Sequence, residues 1–360
     1  MQLSVPNISK LTRFLATKFL QIANSLQKNL HPIDTKEWLT EHRDVVIKNI
    51  ITSNRDLLSP WYAIEPLTIT LLSWWVMSVV CLVESNGTTI VVKMYPPWNI
   101  SPHIWKIEAQ AFEQRNKAWV VTPHVYSSWT INYQAMQIPY IIMDFVKAET
   151  ISRSDAHFYS VWKILWKMST SAIDWYWPVV YDQTNDRYSW KDSSHSEVAN
   201  IRNLSHRIDA SKFLTQEKVI QLQKALKKAS VVIEQKAWIQ KPVWLHTDMS
   251  YQNIFATEPF TVFDPDCTAW HSYKDVAYSI FHLTWTSYDY LSVLDQIVLW
   301  YASVIQNDID LDLLYAYLLL VSLRKWYFRY EKWLSIWDEE KIQKWKKAID
   351  LACSIANNIL

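Results

Sequence analysis

Glycine is nearly missing from this chain: its 360 residues include 1 Gly, where an ordinary soluble protein has about 7%. As written, the sequence offers no second residue that takes a left-handed turn freely or lets backbone approach a phosphate. Cysteine is scarce as well. Cys81, Cys267 and Cys353 stand far apart and are odd in number. That excludes a disulfide framework and a zinc spacing, and it fits a reduced, cytoplasmic protein. Neither sign of charge dominates, since 36 Lys+Arg meet 35 Asp+Glu. Without a basic stripe, nucleic acid is not expected as a partner. Long apolar runs are lacking too: LLYAYLLLVSL at 313–323 is too short to cross a bilayer. The opening stretch MQLSVPNISKLTRFLATKFLQIANSL interleaves Lys and Arg with apolar positions. An amphipathic helix does this and a signal peptide does not. No membrane association and no obligate protein partner is expected.

Tryptophan fills the gap. The chain has 22 Trp, and the tryptophan and glycine counts together come close to the usual glycine share. The tryptophans are scattered, with no accompanying basic patch, which sets aside a surface for stacking sugars or nucleobases. Along the chain, residues 1 to about 56 read as helix in two pieces, the second near TKEWLTEHRDVVIKNIITSN. Then β patterns take over: EPLTITLLS, VMSVVCLVES and TTIVVKMY, with Asn86-Gly87 as the favoured two-residue hairpin turn. A helix, KIEAQAFEQRNKA, and two further strand-like segments, HVYSS and YIIMDFV, complete a β-β-β-α-β-β order. Beyond Val146 the pattern is helical except for VWLHTDMSYQNIFATEPFTVFDPD. The order suggests an α+β, bilobal architecture: a helical extension over 1–60, a β-rich lobe over 61–146 and a larger helical lobe over 147–360.

Two constellations carry chemistry. His246, Asp248 and Asn253 lie between apolar strands, and Asp264 follows in Phe263-Asp264-Pro265-Asp266. A loop and a facing strand end can bring two aspartates and an asparagine to one point. Phosphoryl transfer needs such a set, a carboxylate for the attacking hydroxyl and oxygen ligands for Mg²⁺. The plain alternative makes Asp248 and Asp264 turn or cap residues. Lys93 stands inside the apolar strand VVKMY, where an unpaired ammonium is costly to bury. Glu108 on the next helix is its natural partner, and such a pair holds the α- and β-phosphates of a nucleotide. The alternative is an edge-strand lysine and a first-turn glutamate.

With these blocks in this order, the chain resembles the aminoglycoside phosphotransferase-like kinases, enzymes of protein-kinase-like fold that phosphorylate small molecules. The resemblance covers roughly residues 64 to 300: LLSWWVMSVV, VVKMY, IEAQAFEQRNKAWVVTP, YIIMDFV, IDWYWPVVYDQTNDRYSWKD, HTDMSYQN, VFDPD and AWHSYKDVAYSI. It implies an ATP- and Mg²⁺-dependent phosphotransferase acting on a hydroxyl of a small polar molecule: an aminoglycoside, an amino alcohol, homoserine, or a sugar or its amine. Carried over by position, Asp248 is the catalytic base, Asn253 and Asp264 are the metal ligands, and Lys93 with Glu108 anchors phosphate. Ser73, Trp74 and Trp75 fall in the nucleotide loop, and Met143 and Phe145 fall in the adenine-reading hinge at 143–146. His246 braces the catalytic loop and Asp275 holds its backbone. Three departures stand out. Thr247 replaces the glycine usual between the His and the Asp, Lys167-Met168-Ser169 lacks a frequent Leu-His, and the first 60 residues have no family role.

Trp74 and Trp75 in that loop would collide with phosphates. If they are genuine, the chain is a catalytically inactive binding module of the same fold. The other explanation is a codon, UGA, that some bacterial lineages read as glycine and other translation tables read as tryptophan. Trp119 sits where a helix C-cap wants a left-handed residue, Trp129 in an apparent turn at 127–130, and Trp175, Trp177 and Trp270 at family glycines. Trp190 matches a true family tryptophan. Genuine tryptophans would place bulk at several left-handed positions, each costing roughly 1 kcal/mol or more.

Overall fold

The computed structural model describes residues 32–58, 66–74, 78–97, 104–117, 120–134, 136–151, 155–170, 190–211, 214–237, 241–264, 268–284, 299, 303, 309–326 and 339–360. The first of the two expected N-terminal helical pieces lies outside them, as do Trp75, Trp119, Trp175 and Trp177. The chain divides into two compact units, residues 1–109 with 124–145, and residues 110–123 with 146–360.

In the first unit, α1 (Pro32–Ser53) precedes strands β1 (Thr68–Trp74), β2 (Val79–Ser85) and β3 (Thr88–Met94). Helix α2 (Ile104–Lys117), which belongs to the second unit from Gln110 on, and strands β4 (Val125–Tyr133) and β5 (Met136–Asp144) follow. The strands form one antiparallel sheet in the order β1-β2-β3-β5-β4, which places β3 at its centre. The tight turn between β2 and β3 has Asn86 and Gly87 both left-handed, at φ 47° and 78°, the geometry that matches strand twist in a two-residue hairpin. Alternation along β3 puts Ile90, Val92 and Met94 into a core with Val79, Cys81 and Val83 of β2 and with Leu39, Val46, Ile47, Ile50 and Ile51 of α1. Helix α1 thus contributes Leu39, Val46, Ile47, Ile50 and Ile51 to this unit's core. Asn54 ends α1, its side-chain amide donating to the Ile50 carbonyl at 2.8 Å and to the Tyr140 hydroxyl at 2.7 Å.

Two local expectations need correction. Trp129 is not in a turn: it lies within β4 opposite Tyr140 and is 62% exposed. Pairing along the whole of β5 overrides the turn-like composition of Ser127-Ser128. Strand β5 also starts four residues before the expected Tyr140. Pro139 looks like a break in the pattern, yet its carbonyl accepts the Tyr95 N–H at 2.9 Å.

The second unit is mainly helical: α3 (Asp155–Thr170), α4 (Trp190–Asp209), α5 (Gln216–Lys236), α6 (Ser272–Thr284), α7 (Leu311–Trp326) and α8 (Glu339–Ile359). Between α5 and α6 come the short strands β6 (Val243–Leu245), β7 (Ile254–Phe255), β8 (Thr261–Val262) and β9 (Thr268–Trp270). They pair antiparallel as β6 with β9 and β7 with β8. Helix α5 buries Val219, Leu222, Ala225, Leu226, Ala229 and Ile233, a stripe at helical spacing. Helix α7, the apolar run of the sequence, is buried almost all round. No helix among the described residues is long and apolar enough to cross a membrane.

Candidate active site

In the first unit, Lys93 belongs to the central strand, so it is not an edge lysine. It shares a strand face with Val91 and Tyr95, opposite the apolar residues under α1. There its Nζ meets Glu108 Oε1 at 2.7 Å, with both side chains more than nine-tenths buried. The Tyr95 hydroxyl donates to Glu108 Oε2, and the Lys93 ammonium stands 5.6 Å from the Tyr95 ring centroid. Helix α2 begins two residues earlier than the pattern suggested, so Glu108 lies a turn inside it and not in its first turn. Tyr95 was not singled out in the sequence, although its place two residues beyond Lys93 puts it on the same face.

Ser73 and Trp74 end β1 opposite Val80 and Val79, after a register irregularity between Leu71 and Ser73. Trp75 lies outside the described residues. Trp74, Trp129 and Trp270 are strand residues, and none has positive φ. Among the described residues the left-handed positions are Asn86, Gly87, Gln134, Thr247 and Asp264. The strained backbone expected at those three tryptophans is therefore not found: ladder pairing keeps each of them extended. Met143 is buried in β5 and pairs with Val91 and Val125. Phe145 follows the strand's last residue, Asp144, whose carboxylate accepts the His124 backbone N–H at 3.0 Å and the Tyr126 hydroxyl.

In the second unit, β6 leads directly into His246, which is fully buried. Its Nε2 bonds to the Phe263 carbonyl at 2.9 Å. Burial first, then the nearby Arg115 charge, pulls the His246 pKa down to about 4. The ring is therefore neutral at pH 7, with Nε2 as donor to that carbonyl. Arg115 itself, on α2, donates to the Leu245 carbonyl at the loop's entry. Asp275, on α6, accepts the backbone N–H of His246 at 2.7 Å and that of Thr247 at 2.6 Å. Thr247 takes the left-handed conformation, φ 50°. That is where the resembling family uses glycine and where a β-branched residue is strained.

Asp248 comes next and is 45% exposed at its side chain. Asn253, 4% exposed, closes a single 3₁₀ turn and donates from Nδ2 to the Asp248 backbone carbonyl at 2.8 Å and to Asp248 Oδ2 at 3.0 Å. His282 of α6, which the sequence did not single out, approaches Asp248 Oδ1 at 2.9 Å. Burial pushes the Asp248 pKa up, but the His282 contact and charge, with the Lys325 charge, outweigh it and hold the carboxyl below the usual carboxylate range. Asp248 is ionised at neutral pH and able to accept. The Phe263 N–H bonds to the Asn253 carbonyl at 3.1 Å, so Asp264 is one residue from the hydrogen-bond partner of Asn253. No cluster of three or more His, Cys, Asp or Glu side chains is found among the described residues. Asn253 and Asp264 carry oxygen donors of the type Mg²⁺ takes, an ion commonly held by one or two protein oxygens together with substrate phosphates.

No protein-family model matches the chain, and no curated protein sequence matches it. Solved structures do. A microcompartment-associated aminopropanol kinase superposes with a TM-score of 0.59 at 14% identity, over 86% of this chain and 96% of that one. The Plasmodium vivax ethanolamine kinase matches with a TM-score of 0.56 at 11% identity, over 92% and 96%. A thermostable mutant of aminoglycoside phosphotransferase APH(4)-Ia, in a ternary complex with ADP and hygromycin B, matches with 0.56 at 12% identity, over 84% and 98%. The fold is the α+β, kinase-like fold of these small-molecule kinases, with a five-stranded antiparallel sheet in one unit and helices in the other.

Proposed function

We propose that this protein transfers the γ-phosphoryl group of ATP to a hydroxyl of a small polar molecule. The observation that carries the reading is the state of Asp248. It is a half-exposed, ionised carboxylate in a loop where the polar residues His246, Thr247 and Asn253 around it are buried and bonded. Such a group can take the proton of an attacking hydroxyl and hold that hydroxyl in line. The similar structures include kinases of aminopropanol and ethanolamine and a phosphotransferase holding ADP and hygromycin B, which supports a small hydroxyl acceptor and an adenine nucleotide. Asn253 and Asp264 would hold Mg²⁺, which supplies charge neutralisation at the phosphates when bound. Lys93, fixed by Glu108, would contact the nucleotide phosphates, and the backbone at 143–146 would read adenine.

The reading makes Asp248→Ala lose on the order of 10²–10⁴ in turnover with nucleotide binding largely kept, because a base orients the acceptor and does not hold ATP. The assay is ADP release from Mg-ATP across a panel of aminoglycosides, amino alcohols, hydroxy amino acids and sugars. Parental turnover in the variant would remove Asp248 from the role.

Activity also requires that residues 74 and 75 leave room for phosphate. The reading accordingly takes Trp74, Trp75, Trp119 and Trp270 as glycine in the cell, encoded by UGA. Sequencing of the gene and intact-mass measurement of the native protein test this independently. UGG at these positions would overturn it and favour an inactive, kinase-like binding module.

A further inference from the structure

Resting on the reading of Asp248 as the base, we propose that His282 is a positioning residue that sets the direction of the Asp248 carboxylate. The proposal stands on one face of α6. That helix presents Asp275 to the backbone of the catalytic loop, and two helical turns further on it presents His282 to the loop's acidic side chain. His282 Nε2 is 2.9 Å from Oδ1, although the ring N–H is not lined up for an ideal hydrogen bond. Asn253 Nδ2 holds Oδ2 at 3.0 Å. The two carboxylate oxygens thus have different partners on opposite sides, and rotating the side chain breaks one contact or the other. A carboxylate oxygen accepts about two hydrogen bonds, so Oδ1 can receive an acceptor hydroxyl while His282 stays in place.

The ring that does this is itself held. It lies near-parallel to Tyr278, with centroids 6.5 Å apart, and edge-on to Phe281 at 5.9 Å. Its side chain is 17% exposed against 45% for Asp248, so the carboxylate is the open member of the pair and the imidazole is its backing. The position suits the residue: His282 falls in the last turn of α6, where the helix dipole favours positive charge.

The test uses the native full-length protein and hydrolysis of Mg-ATP with water as acceptor, read as ADP release. His282→Leu is expected to lower kcat on the order of 10²-fold, the scale of loss from a misplaced reacting group, with KM for ATP unchanged. His282→Gln, which keeps a polar donor at similar reach, is expected to recover most of that loss. Equal kcat in the parental protein and the Leu variant would overturn the proposal. So would a Gln variant no better than Leu, or a KM that rises in step with the fall in kcat. Asp248→Ala separates the two levels of inference: parental turnover there overturns the base itself. An inactive Asp248→Ala beside a fully active His282→Leu removes only the positioning role. Absence of ADP release from the parental protein, both with water and across the acceptor panel, overturns both.

Discussion

Lys93 and Asp248 are charges held by opposite means. Lys93 sits in a seven-residue strand at the middle of a sheet, where ladder bonds to β2 and β5 fix the backbone and one buried carboxylate neutralises the side chain. Asp248 sits among strands of two and three residues, too short to fix a loop by ladder bonding. Side chains do it instead. Asp275 takes two backbone N–H groups, Asn253 ties the loop's end to its middle, and the His246 ring bonds the Phe263 carbonyl. Regular backbone yields a rigid charge neutralised within the fold; a loop braced by side chains leaves its charge more open to solvent.

The largest expected effect breaks the first arrangement. Lys93→Met leaves Glu108 buried without its cation, and loss of one partner of a buried pair costs about 3–5 kcal/mol. Urea unfolding should show this, and the double variant Lys93→Met with Glu108→Leu should regain much of it. A double variant as unstable as the sum of the singles would show that the two charges do not act as a pair. The smallest effect sharpens the second arrangement. Thr247→Gly relieves a left-handed β-branched residue, a strain of about 1–2 kcal/mol, but returns part of that as backbone entropy in the unfolded chain. Thermal unfolding should show a net gain of at most about 1 kcal/mol. A loss of stability would mean that the Thr247 side chain, 8% exposed, contributes packing greater than its strain.

These contrasts also explain what could be read from the sequence. The sheet was legible because VVCLVES and TTIVVKM are short apolar, β-branched runs joined by a turn, the composition of strands buried on both faces. Lys93 stood out for the same reason, as a charge in an apolar run. The loop from His246 to Asn253 was legible as a spacing of polar residues, but its holding groups were not. His282 belongs to a helix whose nearest motif residue is two turns away, and Tyr95 reads as one more strand aromatic. Trp129 misled because Ser-Ser-Trp-Thr has the composition of a turn, and only pairing with β5 makes it a strand. The packing of α1 on the sheet left no local signal beyond a helical pattern, since nothing in a helix names the surface it covers.

That last packing has a practical consequence for anyone shortening the chain. The sequence motifs that resemble known kinases start near residue 64, so they invite trimming to that point. The cut would strip Leu39, Val46, Ile47, Ile50 and Ile51 from the face formed by Val79, Cys81, Val83, Val92 and Met94. A sheet with one apolar face newly open to water is an aggregation hazard, and the thiol of Cys81, whose pKa burial raises to about 11, would become an ordinary titratable, oxidisable group. The trimmed protein would then be sticky and air-sensitive for reasons unrelated to its chemistry, and its inactivity would say nothing about the enzyme.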